Sequence, residues 1–413
     1  MAATPTSAAH HEINRRYAQG VRHWTRFGHF ERPRLRRARY AILHVARLIL
    51  APFLLPVAGA VLLRLRISDH RELPGLHRHA LRFVDSLSQQ YPMHLYPLVL
   101  KAIQLAWLNE HLPSLLAEHP RVVEVAIGEG SLSSRILGRS GAITALDLNP
   151  YSLAKVVSQP HIRHAVVCDG MRPPLRSGSY EILLSMNFLH HVTDKNGTLE
   201  RWARAARFLV FNEDTPFWAS GWTRPYILRK LGFRASANRA AARIAEVLVQ
   251  HLDEQPALVQ HIHSHGKILV QTSFLSERTF FYCSLFSLVM MAPGPPTPRY
   301  LKAAFLGPLR FTMIPLTRKL AERLIRFDAT QGRARDVCVM FLVESHEWSP
   351  KADASPFCCP RCAGDLTDDY RCVACQIAYP VKDGMLFLLP AEFQFIADEY
   401  NSDVATTTPD EHL

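Results

Sequence analysis

The sequence has few cysteines, eight among 413 residues. This scarcity excludes a secreted scaffold that depends on several disulfides. Five of the eight cysteines lie between Cys358 and Cys375. Clustering of this kind indicates a metal site in a reducing compartment, so we expect a cytoplasmic protein.

The sequence also lacks the compositional extremes of non-globular proteins. Apolar residues make up 48% of the chain and charged residues 20%, close to the average of folded globular proteins. These values exclude a mostly disordered chain, a collagen-like repeat and a polytopic membrane protein. The length predicts two or three structural units.

Acidic residues are scarce in the first fifty positions, where ten arginines are accompanied by Glu12 and Glu31 alone. Ten positive and two negative charges give this segment +8 of the net charge of +12. We expect residues 1–40 to be a basic arm for an anionic surface, either nucleic acid or the inner face of a membrane. A solvated tail with no partner is the alternative interpretation.

The next segment, residues 41–66, is apolar. Sixteen uncharged residues run from Leu48 to Leu63. A helix of that length measures roughly 24 Å, less than the roughly 30 Å of a hydrocarbon core, and Pro52 and Pro56 would kink it. We therefore do not expect a membrane span. A peripheral anchor in the membrane interface and a helix buried against the main domain both stay open.

Residues 67–118 have apolar side chains at helical spacing and are predicted to form a helical cap. Residues 119–345 then alternate short apolar runs with helical stretches. The runs are residues 121–126, 142–146, 165–168, 182–186, 208–211 and 337–343. This order predicts an α/β fold with a Rossmann-like, mostly parallel sheet covered by helices on both faces.

Polar and small residues collect where these predicted strands end, which is where ligands bind in such sheets. In strand order they are Glu124, Gly128 and Gly130, then Asp147, then Asp169, then Asn187, His190 and His191, and finally Glu213 and Asp214. The segment from Glu124 to Gly130 has small residues at alternate positions, so its backbone can approach a ligand closely. Asp147 follows Gly130 at a distance typical of an acid that binds ribose hydroxyls.

Together with the stretch from Asp169 to Val192, these residues make the segment 119–215 resemble the class I S-adenosylmethionine-dependent methyltransferases. The branch that includes ubiquinone and menaquinone biosynthesis enzymes is the most similar. The resemblance implies a seven-stranded sheet and S-adenosylmethionine as cofactor. It also implies that Gly128 and Gly130 face the methionine part, that Asp147 binds the ribose and that Asp169 binds the adenine amino group. The implied cofactor-binding set is Glu124, Ala126, Gly128, Gly130, Asp147, Leu148, Asp169, Gly170 and Asn187.

Two positions depart from that family pattern. Ala126 stands where the first glycine is usual, which should be tolerated if its backbone keeps a negative φ. The usual lysine-proline-glycine-glycine turn before the fifth strand is replaced by residues 204–208 (RAARF). This replacement alters the acceptor side of the cleft, and a degenerate sheet without cofactor is the alternative.

Methyl transfer from a sulfonium is an in-line displacement, so the protein mainly has to align the acceptor and exclude water. A base is needed where the acceptor loses a proton, and His190 and His191 are the candidates. A structural role at a helix start is equally open for both. Glu213 and Asp214 are better explained by capping or ion pairing. No proline pair follows Asn187, which disfavours methylation of an amide or exocyclic amine.

Residues 215–335 are predicted to be a helical insertion. Aromatic and methionine side chains are frequent there, above all in residues 279–294. They could line an apolar acceptor pocket or form the core of a helical subdomain.

The cysteine cluster has the spacing Cys359-x2-Cys362-x9-Cys372-x2-Cys375, which predicts one tetrahedral Zn²⁺ site with four thiolates and a structural role. Cys358 is left over. Residues 357–390 resemble the small zinc-ribbon subunit that activates tRNA, rRNA and release-factor methyltransferases. We therefore expect a zinc ribbon over residues 352–392 and an acidic, disordered tail over residues 393–413.

These features favour a methyltransferase that modifies an oxygen or carbon of an apolar or lipid-like small molecule. An RNA methyltransferase that uses the basic arm and the ribbon is the second hypothesis. A non-enzymatic, cofactor-binding scaffold is the third.

Overall fold

The computed structural model describes residues 56, 59–65, 73–91, 95–118, 121–128, 143–192, 194–214, 255–290, 299–331, 336–350 and 355–406. The basic arm, Gly130, the helix expected after it and residues 215–254 lie outside these ranges. The same holds for most of the apolar segment 41–66.

The described residues form a nine-stranded sheet. Its strands are β1 (Val122–Val125), β2 (Ile143–Asp147), β3 (Ile162–Val167), β4 (Tyr180–Met186), β5 (Ala206–Asp214), β6 (Gly266–Ser276), β7 (Asp336–Ser345), β8 (Val381–Lys382) and β9 (Met385–Phe387). They are ordered β6-β7-β5-β4-β1-β2-β3-β9-β8. Strands β1 to β5 are mutually parallel, and β7 is antiparallel to both β5 and β6. The expected α/β, Rossmann-like fold class is confirmed.

The chain runs from β1 to β2 and β3 on one side of the sheet and then returns to β4 on the other side of β1. The carboxyl ends of β1 and β4 therefore flank the topological switch point. Ligands of open α/β sheets bind in the crevice at this point.

Eight helices of the described chain accompany the sheet: α1 (Gly75–Gln90), α2 (Leu95–Glu118), α3 (Pro150–Ala154), α4 (Lys195–Ala205), α5 (Gln255–His265), α6 (Glu277–Met290), α7 (Arg299–Ala329) and α8 (Gln394–Thr406). Helices α1 and α2 confirm the expected helical character of residues 67–118 where these are described. Helix α4 begins at Asp194, whose side chain accepts a hydrogen bond from Gly197 N, a usual N-cap arrangement.

The two faces of the sheet bury alternate residues of each strand, as the period of two requires. One face of β4 and β5 carries Ile182, Leu184 and Phe208 into a core shared with α1, α2, α6 and α7. The other face carries Leu183 and Phe211 into a core shared with α4, α5 and the cysteine-rich segment. A third, smaller core lies between β2, β3, β9, α3 and α8.

Residues 59–65 are helical and contribute Val61 and Leu65 to the first core, whereas Leu63 is 63% exposed. The described part of the apolar segment thus packs against the main domain. Among the helices of the described residues, none combines the length and the apolar character that crossing a membrane requires.

Strands β1 to β7 form the expected seven-stranded sheet, and the C-terminal segment extends it, because β9 pairs in parallel with β3 and β8 pairs with β9. Two expectations need correction. The insertion 215–335 is not purely helical, since β6 lies within it and forms an edge of the sheet. The expected tail contains α8, which is folded because Ile396, Ala397 and Tyr400 bury one of its faces.

Candidate functional site

The carboxyl ends of β1 and β2 are joined through the side chain of Asp147. Its Oδ2 accepts a hydrogen bond from Gly128 N at 2.9 Å, and its Oδ1 accepts one from Asn149 N at 2.8 Å. Burial raises the pKa of Asp147 above its ordinary value, although these backbone N–H groups counteract the effect. Asp147 therefore fixes the turn after β1 and at the same time presents a poorly solvated carboxylate.

The turn after β1 adopts a left-handed backbone. Ala126 has φ +57° and Gly128 has φ +61°. The condition stated for Ala126, a negative φ, is not met, so this alanine occupies a conformation that strains an L-residue. A Cβ added at Gly128 would have no atom within 4 Å. No described residue therefore fills the space beside Gly128, and a ligand can occupy it.

Asp169 and Gly170 follow β3 and are held in place from two sides. Asp169 Oδ1 accepts a hydrogen bond from Met171 N at 2.9 Å, and Trp202 Nε1 donates to Gly170 O at 3.1 Å. A Cβ at Gly170 would lie 2.8 Å from a methyl group of Val125 and 3.0 Å from the ring of Phe188. The close packing beside the buried carboxyl group therefore requires glycine.

Burial also raises the pKa of Asp169, in this case to about 6. Hydrogen bonding from Met171 N and the charge of Arg172 act in the opposite direction but do not cancel the effect. A carboxylate in such surroundings gains from a ligand that donates an N–H bond to it.

Asn187 follows β4, has φ +58° and belongs to a buried amide network. Its N–H donates to Asn212 Oδ1 at 2.9 Å, and its Oδ1 accepts from Asn212 Nδ2 at 2.6 Å. Gln104 Nε2, from helix α2, donates to the same Asn187 Oδ1 at 3.3 Å. Sequence reasoning missed both Asn212 and Gln104. A polar residue inside the apolar β5 run was a usable signal for Asn212, but the approach of Gln104 depends on tertiary packing alone.

His190 and His191 lie on a short 3-10 helix, Leu189–His191, with ring centroids 4.3 Å apart. His190 is buried, and its Nδ1 has no hydrogen-bond partner among the described residues. Burial, followed by the nearby charges of His191 and Lys195, lowers the pKa of His190 well below its ordinary value. His190 is therefore neutral at physiological pH, whereas His191 is half-buried.

The remaining residues expected at the site lie at its margins. Glu124 is buried within β1, Glu213 is buried within β5, and Leu148 packs partly against the third core. The side chain of Asp214 and the whole of Gly130 lie outside the described part of the chain. The structure thus gathers Gly128, Asp147, Asp169, Gly170 and Asn187 at one edge of the sheet.

A second site is formed by the four cysteines Cys359, Cys362, Cys372 and Cys375, whose sulfur atoms all lie within 4.8 Å of one another. The Sγ atoms of Cys359 and Cys375 are 3.6 Å apart, and those of Cys362 and Cys372 are 3.4 Å apart. Sulfur atoms on a tetrahedral zinc ion, at about 2.3 Å from the metal, would be roughly 3.8 Å from one another. The arrangement fits Zn²⁺.

The two cysteine knuckles have the same backbone. Ala363, after Cys362, and Gln376, after Cys375, both have φ +57°. Each donates its N–H to the carbonyl oxygen of the first cysteine of its own knuckle, Cys359 or Cys372. Because both turns aim two thiols at one point, the geometry is that of a closed four-thiolate site without an open position.

The cysteine-rich segment docks on the loop that follows Asp169. Arg176 contacts Asp365 Oδ1 at 2.6 Å through its guanidinium and donates to Phe357 O at 3.2 Å. Cys358 N donates to Pro174 O at 2.9 Å. The loop therefore starts at the candidate cofactor site and ends on the metal site.

Comparison with known proteins identifies the central part of the chain. Residues 123–207 match the family model described as "Methyltransferase domain". No curated protein matches the sequence. The chain thus carries a methyltransferase domain, and the expected enzyme class is confirmed.

The chain matches solved structures, including the following three. A mycolic acid cyclopropane synthase is 11% identical with a TM-score of 0.39, and the match covers 59% of this chain and 85% of that chain. Geranyl diphosphate C-methyltransferase from Streptomyces coelicolor A3(2) is 10% identical with a TM-score of 0.35, covering 59% and 75%. An S-adenosylmethionine dependent methyltransferase from Mesorhizobium loti is 16% identical with a TM-score of 0.33, covering 56% and 96%. Likeness at this level has no bearing on the substrate.

Proposed function

We propose that this protein transfers a methyl group from S-adenosylmethionine to an oxygen or carbon atom of an apolar or lipid-like small molecule. The observation that carries the donor part is the pair of carboxyl groups at the ends of adjacent strands, the half-buried Asp147 and the buried Asp169. A nucleoside across these two strand ends would donate its ribose hydroxyls to Asp147 and its exocyclic amine to Asp169. Both carboxylates are desolvated, so each gains from such a donor.

The rest of the donor would extend from this nucleoside position across β1 towards β4. The left-handed turn at Gly128 leaves its Cβ side open, and Asn187 stands next to it in the sheet. When bound, S-adenosylmethionine supplies an electrophilic methyl group. The chain's own part is to hold the donor and to align the acceptor in a site without bulk water.

A base on this chain is required where the acceptor is a hydroxyl or an acidic carbon. His191 suits that role better than His190, because the burial that lowers the pKa of His190 also removes it from solvent. His190 is assigned to orienting the 3-10 helix. Glu213 and Asp214 take no part in this proposal.

The acceptor class rests on the quinone-type motif set and on the apolar segment 41–66, and the basic arm 1–40 would support contact with an anionic membrane surface. The aromatic residues of the insertion support an apolar acceptor less than the sequence suggested. Phe280, Tyr282 and Phe286 are buried in the first core with the helical cap, as in a subdomain with its own packing. RNA is the alternative acceptor.

Zinc has a structural role in the proposal. Cys359, Cys362, Cys372 and Cys375 would hold it, and the hydroxyl of Tyr379, 3.0 Å from Cys359 Sγ, would donate a hydrogen bond to one thiolate. With four sulfur ligands the ion has no position for a substrate. It would fix the ribbon that docks on the loop after Asp169.

Label transfer tests the proposal. The zinc-loaded protein and its Asp147→Ala variant are incubated with methyl-tritiated S-adenosylmethionine and a lysate of the host that lacks the gene. We expect label in the organic extract with the wild-type protein and not with the variant. Label that RNase removes would overturn the acceptor class. Failure of the zinc-loaded protein to bind S-adenosylhomocysteine saturably would overturn the donor assignment.

A further inference from the structure

Helix α2 belongs to the helical cap, yet one of its side chains reaches the end of β4. Gln104 is completely buried, and its Nε2 donates to Asn187 Oδ1 at 3.3 Å. Its own Oε1 is buried without a hydrogen-bond partner among the described residues. A buried amide that leaves its oxygen unpaired is uncommon and calls for a reason.

The reason follows from the amide assignments, which start from a backbone donor. Asn187 N–H can act only as a donor, so the Asn212 atom that faces it at 2.9 Å must be Oδ1. The other Asn212 atom is then Nδ2, and the Asn187 atom at 2.6 Å from it must be an acceptor, Oδ1. Since Asn187 Oδ1 is an acceptor, Gln104 must turn Nε2 towards it.

Both hydrogen bonds therefore hold the oxygen of the Asn187 amide on the protein side. The opposite atom, Asn187 Nδ2, is not among the buried unpaired atoms of the described residues. Asn187 is half-buried. Its two N–H groups thus point away from Gln104 and Asn212 and are available to a hydrogen-bond acceptor.

The register of the sheet indicates which part of a ligand meets this donor. Val125 at the end of β1 pairs with Ser185 near the end of β4, so the turn that contains Gly128 and the residue Asn187 follow neighbouring strand ends. Asp147 and Asp169 lie on the opposite side of β1, at β2 and β3. A ligand whose nucleoside rests on those two carboxylates has its amino-acid end over β1 and β4, next to Asn187.

We propose that Gln104 is a positioning residue of the methyltransferase site, which fixes the Asn187 amide so that its NH2 group donates to the carboxylate of the methyl donor's amino-acid end. The inference rests on the proposed function for the identity of that ligand. It makes the helical cap a part of the donor site, because α2 supplies one of the two hydrogen bonds that hold the amide oxygen on the protein side.

Gln104→Glu tests the inference by removing the hydrogen bond from α2 to the Asn187 amide. A carboxylate at position 104 cannot donate and repels Asn187 Oδ1, so the amide, which Asn212 alone still holds, loses its fixed position. Affinity is measured calorimetrically for S-adenosylhomocysteine and for 5′-methylthioadenosine, which lacks the amino-acid end. We expect S-adenosylhomocysteine to bind about tenfold or more weakly to the variant, a change of about 1.4 kcal/mol per factor of ten, and 5′-methylthioadenosine to bind unchanged.

Trp107→Phe is the matched control. It lies one turn further along α2 and removes a different bond between the cap and the sheet, Trp107 Nε1 to Thr272 Oγ1 at 2.9 Å. It should leave the ratio of the two affinities unchanged. Equal loss for both ligands in Gln104→Glu, or no loss for either, would overturn the inference.

A second variant serves if Gln104→Glu does not fold. Asn187→Asp keeps an acceptor towards Gln104 and Asn212 and replaces the outward NH2 by an oxygen, so it should show the same selective loss. Absence of that loss overturns the inference. A wild-type protein that binds neither ligand contradicts the proposed function instead, so the two failures are distinguishable.

Discussion

Asp169 is the site residue whose protonation changes nearest to neutral pH, because burial raises its pKa to about 6. At pH 7 the group is mostly a carboxylate that can accept an N–H bond, and at pH 5 it is mostly a neutral acid. We expect the affinity for S-adenosylhomocysteine to fall about tenfold from pH 7 to pH 5, as measured by calorimetry. Asp169→Asn should bind weakly at both pH values, and a flat wild-type profile would contradict this assignment.

The raised pKa of Asp169 also affects the stability of the ligand-free protein, but in the opposite direction. Because the pKa of Asp169 is higher in the folded chain than its ordinary value of 3.8, the folded state binds more protons than the unfolded state between pH 3.8 and about 6. The contribution of Asp169 to the free energy of unfolding therefore increases as the pH falls through this window. Ligand affinity and this stability contribution thus move in opposite directions.

Ala126 gives a second prediction for a single residue. Its left-handed backbone, φ +57°, costs an L-residue about 1–2 kcal/mol, whereas glycine there loses about 0.4–1 kcal/mol through the greater entropy of its unfolded state. Ala126→Gly should therefore raise the free energy of unfolding by about 0.5 kcal/mol, measured by urea denaturation.

Gly128→Ala is the matched comparison for Ala126→Gly. Its φ is +61° and its Cβ would meet no described atom within 4 Å, so it adds backbone strain without a clash. It should shift the urea midpoint downwards and also weaken S-adenosylhomocysteine, since the new methyl group occupies the open side of the turn. A rise in stability for Gly128→Ala would show that the backbone at this turn is not strained.

At the scale of helices and strands, the sequence predicted best what depends on local pattern. Strands β1 to β5 and β7 stand out as apolar runs, and the polar residues after them mark the crevice because parallel strands share one carboxyl edge. Strand β6 was missed because it stands between two helices, α5 and α6, in a segment that was predicted to be helical throughout. Helix α8 was missed because the acidic residues of this segment suggested a disordered tail, although Ile396 and Tyr400 are buried in the third core.

Other features could not be read from local pattern at all. The pairing of β9 with β3 joins residues about two hundred positions apart, and no periodicity encodes the partner of a three-residue strand. The left-handed φ of Ala126 has no local sequence signal, because alanine seldom adopts it. Gln104 reaches Asn187 only after α2 has packed on the sheet.

The helical cap is joined to the insertion by a buried hydrogen bond between α1 and α7. His77 Nε2 lies 3.1 Å from Asp328 Oδ2, and the same carboxylate accepts from Leu275 N and Ser276 N at the end of β6. Burial alone would raise the pKa of Asp328, but the hydrogen bond and charge of His77 lower it below its ordinary value. Asp328 thus fixes three elements at one point.

Asp328→Asn is expected to lower the free energy of unfolding by about 3 kcal/mol, because breaking a buried pair leaves a donor without its acceptor. Asp85→Asn is the matched control: it breaks the Asp85–Arg318 pair, which joins the same two helices at an exposed position. That pair is screened by water, so its loss should not be measurable in the same denaturation experiment. Equal effects of the two variants would contradict a special role for Asp328.

At the scale of the whole molecule, the four-cysteine cluster and the candidate cofactor site are joined by two connections through the described chain. Strand β9 of the ribbon extends the sheet beside β3, and β3 leads directly to Asp169. The loop after Asp169 then returns to the ribbon, where Pro174 O accepts from Cys358 N and Arg176 meets Asp365. Because the strand pairing and the loop contacts both join the ribbon to the residues around Asp169, a displacement of the ribbon would also displace the loop that follows Asp169.

This arrangement predicts a reciprocal coupling between zinc and the methyl donor. Cys359→Ser should lose the bound zinc and bind S-adenosylhomocysteine about tenfold more weakly, within the usual range of coupling free energies. Cys358→Ser, its immediate neighbour outside the four-thiol cluster, should keep both the metal and the affinity. Because coupling of binding free energies is reciprocal, saturating S-adenosylhomocysteine should slow the release of zinc from the wild-type protein to a chromogenic chelator. Release at the same rate with and without the ligand, together with unchanged affinity in Cys359→Ser, would mean that the ribbon and the donor site act independently.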